Sequence, residues 1–279
     1  MKTCTYCGKE YPDDSVLCPV DGNPLSNKEN PTPESTKAPP PVLPPPLPRT
    51  VWTDRQIRIF ELILIGTIAF GSSILFSTAS FFGYYSHNPT GGALNWSARI
   101  LLQVSVLGLL WYVLLRRDKS FADLGLFFTA KDIGWSVIIY YLASYSRYAF
   151  YQILYSSGLT TINLKTSSEH VGQFLFGDSI FISTMLFQFV NPFFEELIAR
   201  AYVMTEVKHL TNSMTKAVII STLLQTSYHF YQGAPAALSN GVMFLIFSIY
   251  YAKTNRIMPL ILAHLYMDVG ATLHYWLQH

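Results

Sequence analysis

Residues 181–204 read FISTMLFQFVNPFFEELIARAYVM, an apolar run broken by three charges, Glu195, Glu196 and Arg200. A run of this length is that of a helix crossing a hydrocarbon core of about 30 Å. A charge held at mid-bilayer costs roughly 3 kcal/mol or more on insertion scales. Two adjacent carboxylates with an arginine one turn on therefore point to a chemical site inside a membrane. Two histidines on later apolar segments, His229 and His264, extend that reading.

Working outward, the same composition continues on both sides. Half of the residues are apolar, 15% are aromatic, 13% are charged and the net charge is +2, which is a membrane-protein composition. From Arg58 onward, seven segments have the length of spans or nearly so: 59–82, 99–115, 133–155, 179–207, 217–233, 236–252 and 257–276. In lipid, segments of this kind have to be helices, because no other partner satisfies their backbone groups. The expected fold class is all-α: a polytopic membrane helix bundle of about seven transmembrane helices, preceded by a small zinc-ribbon-like segment and a Pro-rich linker. The expected division is 1–22 for the ribbon-like module, 23–50 for a disordered linker and 51–279 for the membrane domain.

Arg55, Arg58, Arg116, Arg117, Lys119, Lys131, Arg200, Lys208, Lys216, Lys253 and Arg256 fall on one side or in its half of the bilayer. The other side keeps chiefly Lys165 and Arg99. The positive-inside rule then puts the amino terminus inside and the carboxy terminus outside. An integral multi-pass protein of a bacterial cell membrane, amino terminus cytosolic, is the expected location.

The amino-terminal MKTCTYCGKEYPDDSVLCPVDG has no signal-like apolar stretch. Cys4 and Cys7 form one CxxC knuckle, and Cys18 with Asp21 forms a second at the same spacing, so that four side chains converge on a candidate tetrahedral zinc. Asp21 stands where such ribbons usually have a fourth cysteine and offers a harder donor. The alternative is a vestigial ribbon without metal. A cytosolic partner of this module is a candidate; nucleic acid is not expected, since Lys2 and Lys9 face four acidic residues within 1–22. The following segment holds NPTPESTKAPPPVLPPPLP and reads as a polyproline-like spacer.

Depth along the helices ties the polar residues together. Glu195 lies thirteen residues before Lys208, His229 thirteen after Lys216, and Asp268 twelve after Arg256, with His264 one turn before Asp268. Asn240, thirteen before Lys253, reaches the same level and reads equally well as helix glue. Glu196 with Arg200 reads as an ion pair, while Arg147 and Asp178 are weaker candidates. Pro192 removes a backbone hydrogen bond just before the glutamates and should kink that helix, opening a gap for water.

There is no HExxH, GxSG or GxGD. What remains is EELIAR, His229 and HLYMD, and these residues resemble the CPBP family, also called the CAAX protease or Abi family, with its EExxxR, FxxxH and HxxxN/D pattern. The resemblance covers about residues 175–275. It departs at Gln225, where the family has phenylalanine, a change expected to alter substrate fit rather than chemistry.

The resemblance implies an intramembrane endopeptidase of the CAAX protease or bacteriocin-immunity type, acting on a protein or peptide substrate, prenylated in the best-known members. Carried over, Glu195 would be the base that activates water, His229 would assist it, and His264 with Asp268 would hold the scissile carbonyl. Glu196 joins this catalytic set, with Arg200 and Asn240 in support. An active-site metal stays open, with the metal-free route preferred. Two other classes stay alive: a non-catalytic membrane immunity or scaffold protein that binds a peptide or toxin, and a small proton-coupled transporter.

Overall fold

The computed structural model describes residues 1–27, 52–83, 93–161, 169, 172–173, 175–176 and 181–278. The expected Pro-rich spacer, Lys165 and Asp178 lie outside the described residues, save the first few residues of the spacer. The chain divides into two compact units, Met1–Val51 and Trp52–His279.

In the first unit, β1 (Lys2–Thr3) pairs antiparallel with both β2 (Glu10–Tyr11) and β3 (Ser26–Asn27), in the order β2-β1-β3. Strands this short do not hold a sheet by themselves. Two turns of the same design do the rest. Gly8 N–H donates to the Cys4 carbonyl at 2.9 Å and Cys4 N–H to that of Lys9 at 3.1 Å; Gly22 donates to Cys18 at 2.8 Å and Cys18 to Asn23 at 2.9 Å. Each turn closes on a glycine at positive φ, Gly8 at 69° and Gly22 at 71°, where a side chain would be strained.

The second unit is all-helical in its described residues. Its helices are α1 (Asp54–Phe81), α2 (Ala93–Leu115), α3 (Ala130–Ser156), α4 (Phe181–Glu195), α5 (Val203–Thr211), α6 (Met214–Ser227), α7 (Ala234–Thr254) and α8 (Met258–Gln278). A π-helical stretch, Glu196–Tyr202, joins α4 to α5. Short 3₁₀ turns lie at Phe121–Leu124 and Phe230–Gln232. α7 packs on α3 and α6, α8 on α3 and α4, and α2 on α4.

Among the described residues, three helices are long and apolar enough to cross a membrane: Asp54–Phe81, Trp96–Leu115 and Ala234–Thr254. The other expected spans are helical too, but they carry the polar residues. α3 holds Arg147, α8 holds His264 and Asp268, the run through α4 and α5 contains Glu195, Glu196 and Arg200, and α6, at 14 residues, measures about 21 Å. Two expected continuous helices are interrupted. The run 179–207 widens into the π stretch after Pro192. The run 217–233 stops at Ser227, because Gly233 (φ 87°) and Pro235 start a new helix just beyond.

Lipid removes the hydrophobic drive between helices, so close packing of small residues has to hold the bundle. Ala199, Ala201, Ala217, Ala237 and Ala263 are all fully buried and let larger neighbours such as Tyr202, Phe244, Phe247 and Ile261 fill the centre. Large apolar groups on the outside, among them Ile63, Leu75, Leu101, Trp111, Ile138 and Leu223, form the surface that meets lipid.

One end of the bundle is tied by charge. Glu206 accepts from Arg58 (3.2 Å) and Arg117 (2.6 Å), Arg117 also binds Glu61, and Arg256 donates to Asp132 at 2.7 Å. There Gly125 (φ 83°) donates room as well as conformation: a Cβ on it would lie 2.1 Å from the Asn255 carbonyl oxygen. The Ile257 N–H donates to the Gly125 carbonyl at 3.2 Å. The α2–α3 and α7–α8 connections are thereby locked together.

Candidate active site

The junction of α4 with the π stretch sends the two adjacent carboxylates in different directions. Glu195, the last residue of α4, accepts a hydrogen bond from the Tyr228 hydroxyl at 2.9 Å. Tyr228 is held from behind by Phe70 of α1, the two rings stacked with centroids 5.0 Å apart and planes within 1°. Glu196, the first residue of the π stretch, is fully buried. It accepts from Arg200 Nε at 2.5 Å and from His264 Nδ1 at 3.0 Å. A π turn takes one more residue per hydrogen-bonded loop than an α turn, which re-aims the side chains that follow, and such turns recur at functional sites.

Arg200 is a knot. Its guanidinium binds Glu196, donates to the Phe244 carbonyl (2.9 Å) and the Ser248 hydroxyl (2.6 Å), reaches Gln225 Oε1, and lies 5.2 Å over the Phe247 ring. One side chain thus joins the π stretch, α6 and α7. Gln225, expected to bear on substrate fit, is instead buried as an acceptor for Arg200. Its backbone carbonyl also fixes His229, whose Nδ1 lies 2.7 Å away. A carbonyl can only accept, so Nδ1 of His229 carries a proton, which in the neutral ring leaves the lone pair on Nε2.

His264 Nε2 lies 3.6 Å from Asp268 Oδ1, one turn along α8, so the ring sits between the carboxylates of Glu196 and Asp268. Asp268 Oδ2 accepts from Asn191 Nδ2 at 3.3 Å, and Asn191 Oδ1 from Gln103 at 2.7 Å. Gln188 reaches Thr272 at 2.9 Å. Sequence reasoning passed over Asn191, Gln188, Gln103 and Tyr228. The signal was there: Asn191 and Gln188 lie four and seven residues before Glu195 on one helical face, in a segment where amides are costly.

Two cavities meet at this cluster. The larger, about 750 Å³, is lined by residues of α3, α7 and α8 with His229; the smaller, about 590 Å³, by residues of α1, α2 and α4 with Glu195 and Tyr228. His229, His264, Asp268, Gln188, Gln232 and Leu175 line both. Glu196 and Arg200 line neither. Asn240 lines the larger cavity but stands apart from the Glu–His cluster, bonded to Arg147 (3.1 Å) and Gln232 (2.8 Å).

In the amino-terminal unit, Cys4, Cys7 and Cys18 are unpaired thiols whose sulfurs all lie within 4.8 Å of one another. Asp21 Oδ2 is 3.4 Å from Cys4 Sγ, and the same carboxylate accepts from Asn23. The Asn23 N–H holds the Asp21 carboxyl below its ordinary range, and the Lys9 N–H lowers the Cys7 thiol. Three convergent sulfurs beside a carboxylate fit a metal-holding set.

Residues 177–270 match the family model described as type II CAAX prenyl endopeptidase Rce1-like. No curated protein and no solved structure was found to be similar to the chain. The matched stretch contains EELIAR, His229 and HLYMD and runs from the start of α4 into α8, so the two glutamates, the two histidines and Asp268 all lie within the part of the chain that is similar to that family.

Proposed function

We propose that the protein is an intramembrane endopeptidase in which Glu195 activates a water for attack on a peptide carbonyl. The observation that carries this reading is that Glu195 and His229 line one cavity together with His264 and Asp268. Both Glu195 and the Nε2 of His229 offer lone pairs, so a water between them has two acceptors for its protons and directs its own lone pair at the substrate. Tyr228 orients the Glu195 carboxylate through one oxygen and leaves the other to the water. His264 lines the same cavity, and with Nδ1 donating to Glu196 a second proton on Nε2 would let it donate to the carbonyl oxygen as charge develops there. Glu196 is a positioning residue, since it touches His264 and Arg200 and neither cavity.

We take the reaction in its metal-free form, the route preferred on the resemblance to the CAAX protease family. Among the described residues the converging set of metal-ligand side chains is the cysteine cluster. That cluster, with Asp21 as fourth donor, we assign to zinc in a cytosolic module; held there, zinc would supply a structural cross-link that this small fold otherwise lacks. Arg58, Arg117, Lys119, Lys131, Lys208, Lys216, Lys253 and Arg256 gather at the end of the bundle that holds the α2–α3 and α7–α8 connections, which supports placing that end in the cytosol.

A panel of fluorogenic membrane peptides, including prenylated ones, offered to the purified protein in liposomes tests the activity. Wild type should cut at least one member, and His229→Ala should cut it about 10²-fold more slowly or worse. A toxin-binding or transport function would instead appear as unchanged activity in that variant with no peptide cut.

A further inference from the structure

Arg147 lines the larger cavity and has no part in the peptidase chemistry. It lies within α3, nine residues before Ser156, where a guanidinium without a counter-charge is costly. Arg58, Arg117, Arg200 and Arg256 each pair with a carboxylate. Arg147 differs: among the described residues it donates to the neutral Asn240 Oδ1 at 3.1 Å, and no carboxylate lies within ion-pairing distance of it. A guanidinium has five N–H donors. One is used by Asn240, and the side chain lines the cavity.

The position of Arg147 is set with respect to the reaction centre. Asn240 Nδ2 donates to Gln232 Oε1 at 2.8 Å. The Gln232 N–H donates to the His229 carbonyl at 3.0 Å, so a chain of side chains runs from Arg147 to the turn that holds His229. Gln232 and His229 line both cavities, whereas Arg147 and Asn240 line the larger one alone. A group bound at Arg147 is therefore at a fixed remove from Glu195, on the other side of the His229 and His264 partition.

We propose that Arg147 receives the free C-terminal carboxylate of the peptide substrate, so that the cavity of about 750 Å³ holds the segment released on the carboxyl side of the cut. This rests on the peptidase reading above. A carboxylate is the anion every unmodified peptide end carries, and the planar fork of arginine takes it bidentately. Docking the end of the chain on a fixed cation sets which bond reaches Glu195, making Arg147 a specificity-determining residue.

The test is binding of a matched pair of probes to the full-length Glu195→Gln protein in nanodiscs. The probes are a fluorescein-labelled farnesylated CAAX peptide with a free carboxylate and the same peptide ending in an amide, followed by anisotropy. The carboxylate form should bind about tenfold or more tightly than the amide, as for hydrogen bonds to a charged group. That preference should vanish in Arg147→Gln and survive in part in Arg147→Lys, which keeps the charge.

Equal binding of the two probes, binding of neither, or a preference that outlasts Arg147→Gln overturns the proposal. So does Arg147-dependent retention of phosphatidylglycerol without any carboxylate preference, which would assign the guanidinium to a lipid phosphate. Cleavage of the carboxylate probe by protein with Glu195 intact is scored in parallel. Carboxylate-selective, Arg147-dependent binding with no cleavage upholds the receptor and sinks the peptidase reading; cleavage of acid and amide alike does the reverse.

Discussion

Arg200 and Tyr228 hold the two glutamates for different reasons, and substitutions should separate them. Arg200 neutralises a fully buried Glu196, so Arg200→Met leaves that carboxylate with His264 alone and without its guanidinium, at a cost of about 3 kcal/mol. The expected result is a folding defect, read as a collapse of thermal stability in detergent before any assay of activity. Gln225→Phe restores the residue that the CAAX protease pattern has there. In this chain it removes an acceptor from Arg200 and should lower stability by about 1–3 kcal/mol. Tyr228→Phe is the opposite case. The stack on Phe70 remains, only the hydroxyl bonded to Glu195 is lost, and thermal stability should stay within about 1 kcal/mol while cleavage slows roughly tenfold. The identity of Glu195, Glu196, His229, His264 and Asp268 as candidates was legible in the sequence, because charges and histidines stand out in apolar runs. What each touches was not legible. Glu195 and Glu196 are neighbours in the chain, yet one faces a cavity and the other is locked into the interior, a difference that comes from the turn of about 100° per residue in a helix and not from residue type.

At the scale of elements, the sequence showed where the helices lie better than where they change character. α1, α2 and α7 read clearly as apolar runs bounded by Arg, Lys, Gly and Pro. The π stretch Glu196–Tyr202 left no periodic signal, since seven residues are too few to reveal an altered period. The break after Ser227 was hidden inside an aromatic run, although Gly233 and Pro235 mark it in hindsight. Connections are as exacting as helices. Gly125 needs both positive φ and the space a Cβ would fill against Asn255, so Gly125→Ala should destabilise the bundle by about 2 kcal/mol or more. Denaturation in detergent, compared with the neutral control Gly134→Ala, whose Cβ meets nothing within 4 Å, measures this directly.

For the whole molecule, two units of opposite character share one chain: a small fold built around three clustered cysteines and a helical bundle that depends on packing. The Cys4, Cys7 and Cys18 cluster predicts that the purified full-length protein carries about one zinc per chain, and that Cys18→Ser abolishes it. Elemental analysis of both proteins checks this; equal zinc in the two would remove the assignment. Stripping that zinc should unfold residues 1–27 without melting the helices, so helical circular dichroism should be unchanged. The same separation bears on catalysis. If Glu195 and water are sufficient, the membrane reaction continues after the ribbon has lost its metal.

That expectation defines the most direct measurement: cleavage of a membrane peptide by wild type and by Glu195→Gln in liposomes, each with and without a chelator, and each repeated on a chain lacking residues 1–27. Cleavage by wild type is expected, retained in chelator, with a loss of about 10²-fold or more in Glu195→Gln. Cleavage by Glu195→Gln at the wild-type rate, or cleavage by the shortened chain that chelator abolishes, would contradict this expectation.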